Sequence, residues 1–590
     1  MLDSLKTHLY GFADTYFKTC QDCSSAVWVE LAGDRYEICG KRILNFIPFI
    51  CSIATIPLSI FSKIQVPTND GKLTLYYNYL EDNSNLTPEL KELFDKHNIK
   101  YSIKGADLLS HSHGQLSVDE VFRVRHGDFK SIVCVDTVVY PTTTEQLELL
   151  YKQTNCKLIP FGGGTNVTGC LLIKDKNEKK IYVSVDMRHF NKILSIDKAN
   201  NYAIIQSGAC GREIEDGLNK EGFTMGHEPD SYEFSTLGGW ISTNASGMRR
   251  NLYGNIEEIV IDFGYINGFS KKVDVRFPTR HSHGPDVNRL FFGHEGNYGI
   301  ITDVLVNIKR LPEEKMFNSI LFYNMTDGIR FMKEVQENNL KPSSIRLVDN
   351  DQFKFGQALK PEKTSWLEKC MDKLKKWYLF NILRFDIDKM VACTLMIEGT
   401  KSFNQFTFGE IQKIAKKYNA VFGGSENGRA GYNLTHSIAY IRDYCFDYGF
   451  LSETFETSIE WSKIEQMGEA VKRRLKQEYP KYIKSTPFLS YRLSQPYNTG
   501  ACVYFTFGFH NTETPERGIE IYHILEKAMR ETMVEHGGSI SHHHGIGQIK
   551  ADELMELSPK DQTELQIQLK LLFDINDRFC NNNYLCDLSL

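Results

Sequence analysis

Asp230-Ser231-Tyr232-Glu233-Phe234-Ser235-Thr236-Leu237-Gly238-Gly239-Trp240-Ile241-Ser242-Thr243-Asn244-Ala245, led in by Gly226-His227-Glu228-Pro229, decides how this chain folds. Small and hydroxyl-bearing residues crowd around a Gly-Gly turn. Neither a helical nor a strand period is kept, so the stretch is not simply a buried helix or strand. It serves either as a small-residue packing corner or as a surface where backbone and hydroxyl donors approach a ligand. Upstream, Pro160-Phe161-Gly162-Gly163-Gly164-Thr165-Asn166 is a strand end opening into a tight turn. Three consecutive glycines permit positive φ and leave the amides unobstructed, which favours an anion, most simply a pyrophosphate. On its own such a turn is weak evidence, and neither G-x-G-x-x-G nor a Walker lysine accompanies it. Downstream, Gly293-His294-Glu295-Gly296-Asn297-Tyr298-Gly299-Ile300 repeats the style and enters the strand-like run DVLVNIKRL. Three separated nests in one β-rich region imply a large ligand with a pyrophosphate and a ring system.

Outward from these turns, 590 residues are too many for one hydrophobic core, so two or three domains are expected. Residues 1–130 read as an N-terminal, partly helical region, in which Pro88 opens a helix with Leu90, Leu93 and Phe94 on one face. Residues 131–312 read as a β-rich cofactor domain: Thr142 and Glu145 have the spacing of a capping box, and Ile214 and Leu218 lie four apart on a helix. Amphipathic helices beside antiparallel-looking strands make 313–556 an α+β substrate (cap) domain, and 557–590 a C-terminal segment returning to the cofactor domain.

Lys plus Arg total 69 and Asp plus Glu 74, a net charge of -5, which gives no reason to expect a nucleic-acid partner. Fourteen cysteines show no disulfide framework, and none has zinc-site spacing beyond the isolated pair Cys20 and Cys23. No secretory signal opens the chain. Ile43–Phe61 is uncharged, mostly apolar and flanked by Lys41, Arg42 and Lys63. Its length just matches a bilayer core of roughly 30 Å. Pro48 and Pro57 break a helix twice and Asn45 adds a polar cost, so a span is disfavoured, and the segment is a candidate either for membrane contact or for burial against protein.

PFGGGTN, the Gly-Gly turn and the GxEGxxGI turn together resemble the FAD-binding domain of the vanillyl-alcohol-oxidase type. The longer words GHEPDSYEFSTLGGWISTNASGMRRNLYGNIEEIV, SIRLVDNDQFKFGQALKP, AYIRDY, ETFETS and SHHHGIG are similar, in order, to the alkyldihydroxyacetonephosphate synthase (alkylglycerone-phosphate synthase) family over about residues 85–590. The resemblance implies an α+β fold: a two-subdomain, β-rich FAD domain, an α+β cap and an N-terminal helical region. It implies flavin contacts at Pro160–Asn166, Asp230–Thr236, Ser242–Ala245 and His294–Ile300. His294 departs from the family's usual Ser, and Asn297-Tyr298 from its Thr-Leu type pair. No readily recognised attachment motif is present, so the FAD is expected to be noncovalent.

By the same resemblance, the reaction exchanges the acyl chain of acyl-dihydroxyacetone phosphate for a long-chain fatty alcohol through a flavin N5 adduct, forming an ether bond without net redox. Tyr504 matches the family's acid/base tyrosine. A free phenol has a pKa of about 10, so a nearby cation is needed; read from the residues alone, Tyr504 is core packing in an aromatic strand. His542, His543 and His544 match headgroup- and carbonyl-binding histidines, and a metal site is set aside because adjacent residues rarely share one ion and no carboxylate or cysteine is near in sequence. Arg442 matches a phosphate-binding arginine, with a local pair to Asp443 as the plain alternative. Arg346 matches another required arginine, with a buried pair to Asp349 as its alternative. The family further implies a homodimer in peroxisomes at a membrane surface; the C-terminal Leu588-Ser589-Leu590 lacks the basic middle residue of a Ser-Lys-Leu signal. The rivals are a redox FAD-dependent 2-hydroxyacid or alcohol oxidoreductase of the same fold and a flavin-bearing scaffold.

Overall fold

The computed structural model describes residues 17–19, 27–31, 34–38, 82, 86–114, 118–125, 132–153, 155–173, 176, 179–273, 282, 284–358, 365–446 and 449–579. The apolar segment 43–61 and the C-terminal tripeptide lie outside them. Phe17–Thr19, Val27–Leu31 and Asp34–Ile38 form a three-stranded antiparallel sheet ahead of the helices Pro88–Lys96, Gly105–Ser110 and Val118–Arg125 of the partly helical region. VWVEL and DRYEI are short, β-branched or aromatic runs that suit a pleated surface better than a helix.

Described residues from 82 to Leu311, together with those from His543 onward, form one compact unit; Pro312–His542 form a second, to which the N-terminal three-stranded sheet is also assigned. The first unit holds two four-stranded sheets. In one, β1 (Lys100–Ser102), β2 (Thr137–Tyr140), β3 (Cys156–Phe161) and β4 (Ile181–Asp186) run in the order β1-β2-β4-β3, with β4 parallel to both its neighbours. Parallel strands need crossovers, and the helix Thr144–Tyr151 provides one, burying Leu147 and Leu150. Its cap is Thr143, whose hydroxyl accepts from the Gln146 amide at 3.3 Å, one residue later than the Thr142/Glu145 spacing suggests. The shift buries Gln146, which reaches the His97 and Asn98 carbonyls at 3.2 Å, and leaves Glu145 in solvent. In the other sheet, β5 (Ile193–Asp197), β6 (Tyr202–Gln206), β7 (Val260–Ile266) and β8 (Ile300–Asn307) are antiparallel in the order β7-β8-β6-β5. The helix Gly211–Lys220 packs Ile214 and Leu218 into the core beneath it.

The expected boundary at 130/131 falls inside this unit. Leu86, Leu90, Phe94 and Ile99 share one core with Val139, Leu147 and Val183. At the other end the unit resumes at His543 rather than 557, because the amides of residues 546–549 are hydrogen-bonded to Thr168 and Glu295. The terminal segment adds a bond from the Leu158 amide to the Arg578 carbonyl (2.7 Å) and a Phe579–Tyr151 stack (5.5 Å).

The second unit is a seven-stranded antiparallel sheet of β9 (Glu314–Phe322), β10 (Ser344–Val348), β11 (Val391–Gly399), β12 (Val421–Phe422), β13 (Phe450–Glu460), β14 (Phe488–Pro496) and β15 (Gly500–His510), ordered β12-β9-β11-β10-β14-β15-β13. Alternation gives it two unlike faces. Leu347, Tyr491, Leu493, Val503, Phe505 and Phe507 point one way, buried under helices: Gly328 of Met325–Glu337 abuts Leu347, and Gly468 of Ile464–Glu478 abuts Tyr491. Arg346, Arg492, Tyr504, Cys502 and Glu456 share the other face and are also buried. The helix Ser425–Phe446 crosses that face, with Gly431 against Thr394, the ladder partner of Arg346. Apolar residues there would each contribute about 1.5–3 kcal/mol by burial, whereas charged ones cost stability unless paired. A buried polar row at such a cost marks this face as the place to look for chemistry.

Candidate active site

The three glycine-rich turns converge within the first unit. A Cβ on Gly162 would overlap Thr236 Oγ1, and one on Gly163 would overlap the Phe234 carbonyl oxygen. The glycines therefore let the 160–166 turn seat directly on the 230–236 stretch. The buried amides of Gly163 and Gly164, and those of Thr165 and Asn166, find no protein acceptor among the described residues. Aligned amides without acceptors fit the pyrophosphate of a dinucleotide. The fully buried Asn297 side-chain amide likewise has no protein partner at either end among the described residues, which suits a ligand that both donates and accepts. Thr236 caps the helix Leu237–Thr243 through its hydroxyl, and Asn244 ends that helix in the left-handed region at φ 51°.

Two residues of the third turn spend their side chains on the protein. His294 is buried, its Nδ1 accepting from the Tyr298 amide at 3.3 Å and its Nε2 meeting Ser242 Oγ at 3.2 Å. It thus ties the third turn to the second. Glu295, at φ 49°, accepts from the amides of Ile546 (2.6 Å) and Gly547 (2.8 Å) and lies 3.6 Å from Cys170 Sγ. Burial pushes its carboxyl upward, and the two amides oppose that shift. Glu295 thus fastens the loop that follows the histidine triplet. Removing a charged acceptor from two amides costs about 1.5–3 kcal/mol per bond. Glu295→Ala should therefore lower the urea-unfolding free energy of this unit by about 3 kcal/mol or more, followed by flavin fluorescence. An unchanged midpoint would mean the loop is held elsewhere.

Burial also pushes the imidazoles of His113, His227 and His294 down, to about 4, 3 and 3. They are neutral in the fold but take up protons near pH 6.5 when unfolded. Their contribution is intact above pH 6.5 and drains as pH falls toward the folded values. Between about pH 6.5 and 4 the unfolding free energy should fall by about 1.4 kcal/mol per pH unit for each histidine. Urea titrations across that range would check the slope.

In the second unit, Tyr504 sits on β15 opposite Arg492 on β14 and Glu456 on β13. Val503 and Phe505 turn to the apolar face, so the aromatic run is packing on one side only. The Arg492 guanidinium lies 4.2 Å from the Tyr504 ring centroid, a cation where a phenol acting near neutral pH needs one. Glu456 accepts from the His542 amide at 2.5 Å and from Ser541 Oγ at 2.9 Å, and His542 Nε2 is 2.6 Å from the Tyr497 hydroxyl. Arg442, on the helix Ser425–Phe446, is buried with Nη1 2.5 Å from Glu453 Oε2; the Asp443 side chain is outside the description. Arg346 lies on the same face as Tyr504. The alternative reading, a pair with Asp349, is not what forms: Asp349, just past the end of β10, takes Lys472 at 2.7 Å instead. His543 and His544 are partly exposed with ring centroids 4.7 Å apart.

Arg492, Glu456 and Tyr497 went unnoticed in the sequence. The register of three strands distant in sequence brings the first two to Tyr504. A carboxylate and a cysteine do come near the triplet in space, since the fold places ligand atoms of Glu456, Cys502 and His542 within 4.8 Å of one another. The Glu456 oxygens are already engaged by Ser541 and the His542 amide.

Comparison with known proteins gives two family models in tandem: an FAD binding domain over residues 135–270 and the C-terminal domain of FAD linked oxidases over 311–582. The chain is 37% identical to an alkyldihydroxyacetonephosphate synthase of Caenorhabditis elegans, over 92% of this chain and 89% of the relative. It is 30% identical to one from Dictyostelium discoideum, over 80% and 76% respectively. A solved alkyldihydroxyacetonephosphate synthase structure superposes with a TM-score of 0.74 at 25% identity, covering 96% of each chain.

Proposed function

The chain belongs to the alkyldihydroxyacetonephosphate synthase family and carries an FAD-binding domain, and from that premise we propose that it replaces the acyl chain of acyl-dihydroxyacetone phosphate with a long-chain alcohol to form an ether. The observation that carries this reading is the buried row Arg492–Tyr504–Glu456, an acid/base phenol with its own cation on a face that packing alone would have made apolar. The turns at 160–166, 230–236, 242–245 and 294–300 would hold the cofactor, noncovalently, with the amides of Gly163 and Gly164 as donors for its pyrophosphate. Bound FAD supplies a nucleophilic ring nitrogen, so the exchange needs no net redox. Tyr504 takes a proton from the carbon beside the ketone and later returns it. Arg492 stabilises the phenolate, and Glu456 positions His542 through its backbone. His543, His544 and Arg346 orient the carbonyl and headgroup, and Arg442, steadied by Glu453, turns its fork to the phosphate. The protein works as a homodimer on a peroxisomal membrane surface, from which both lipid substrates arrive.

The test is acyl exchange: purified protein, palmitoyl-dihydroxyacetone phosphate and a labelled long-chain alcohol in detergent, with no electron acceptor. Labelled ether and free fatty acid in equal amounts support the reading. Substrate-dependent flavin bleaching without ether would replace it with a redox enzyme of the same fold.

A further inference from the structure

An ordinary surface helix turns its apolar stripe to the core. The helix Trp366–Trp377 does the reverse. Trp366, Leu367, Met371, Leu374 and Trp377 recur at helical spacing, and they are 71%, 65%, 57%, 64% and 53% exposed. Tyr378, just beyond, is 49% exposed. Lys373 and Lys376 lie on a different face, and residues 365–384 hold five basic residues against two acidic ones. The two acids that follow, Asp386 and Asp388, are answered by Lys389 and Lys354.

The exposure is built into the fold. Beyond the π turn Tyr378–Ile382, Phe385 is buried and stacks on Tyr323 at 4.0 Å, while the Tyr323 hydroxyl donates to the Leu383 carbonyl at 2.8 Å. Asn350 Nδ2 donates to the Ile387 and Met390 carbonyls, each at 2.8 Å. The C-terminal end of the helix is thus pinned to the sheet of the second unit, with its stripe facing outward.

We propose that the helix Trp366–Trp377 docks this protein onto an anionic lipid bilayer, lying in the interface with its tryptophans and leucines among the acyl chains and its lysines at the headgroups. A helix this short reaches only about 18 Å along its axis, too little to span, so the orientation is in-plane. Tryptophan and tyrosine suit the depth where chain meets headgroup. The lysines choose the occupant: a protein partner or a second copy would have to bury their charge, whereas anionic headgroups neutralise it in place. The inference rests on the lipid substrates proposed above for its purpose, though not for its test.

That test uses the full-length flavoprotein and vesicles of phosphatidylcholine with phosphatidylserine in a four-to-one ratio. Cosedimentation should be strong, and brominated phospholipids should quench tryptophan fluorescence. Leu374→Glu/Trp377→Glu should lower the bound fraction at least tenfold with FAD content unchanged, which shows the fold is kept. Lys373→Glu/Lys376→Glu should abolish the preference for anionic over pure phosphatidylcholine vesicles. Binding by the apolar double variant at the wild-type level, as contact through residues 43–61 alone would give, overturns the proposal. So does wild-type fluorescence that brominated lipid leaves unchanged, or a stripe covered in solution by a second copy, seen as a dimer that the same variant splits. Binding is read without turnover, so a protein that docks but makes no ether sinks only the functional reading.

Discussion

Tyr504→Phe is expected to lower ether formation by about 10²–10⁴-fold, the range for losing a positioned acid or base. FAD content and the unfolding midpoint should stay at wild-type values. The geometry separates chemistry from packing cleanly here. Phenylalanine keeps the ring under the Arg492 guanidinium, 4.2 Å from its centroid, so the stacking contact survives. Only the hydroxyl is lost. If Tyr504 merely filled an aromatic strand, the substitution would be nearly silent, and activity above a tenth of wild type would assign the proton transfer to another group. Arg492→Met supplies the companion test. It should move the ascending limb of the pH–rate profile toward higher pH, because the proton-abstracting phenolate forms less readily without its cation.

Gly163→Ala should strip the protein of flavin. The added methyl would overlap the Phe234 carbonyl oxygen, which is backbone and cannot swing aside as a side-chain tip would. Forcing the two turns apart costs about 1–3 kcal/mol, and since about 1.4 kcal/mol is a factor of ten, FAD affinity should fall by roughly ten- to a hundredfold. Gly409→Ala is the control: a Cβ there meets nothing within 4 Å, and it lies inside the helix Lys401–Lys417. Removing an interior helical glycine should leave flavin bound and add about 0.5–1 kcal/mol of stability. Equilibrium dialysis with the flavin absorbance as readout compares the two. Equal FAD content in both variants would show that the turns tolerate separation.

The cofactor half was legible because its information is local. Glycine triplets, a small-residue stretch and the spacing of Ile214 and Leu218 each report on their own neighbourhood. The polar row of the second unit was not, because it exists only in the register of strands. Nothing near Tyr504 in ACVYFTFGF distinguishes it from its apolar neighbours. Arg492 is 12 positions away and Glu456 is 48, and only the β13–β15 and β14–β15 ladders bring them opposite it. The same limit explains Arg346: sequence proximity suggested Asp349 as a partner, while Asp349 is taken by Lys472, 123 residues away in sequence. Glu295 shows the converse. Its motif was visible, but the partner that occupies its carboxylate lies 251 residues away.

That carboxylate has a thermodynamic corollary. Glu295 is a member of a flavin-side turn and at the same time the acceptor for the Gly545–Gly547 loop. Coupling between two binding events is reciprocal, so whatever settles the loop must also tighten cofactor binding by the same factor, and cofactor loss must loosen the loop. A headgroup analogue gripping His543 and His544 would then act as a stabiliser of the holoenzyme without touching the flavin. The flavin-free pool, in turn, would be the form that proteases open first at 543–549.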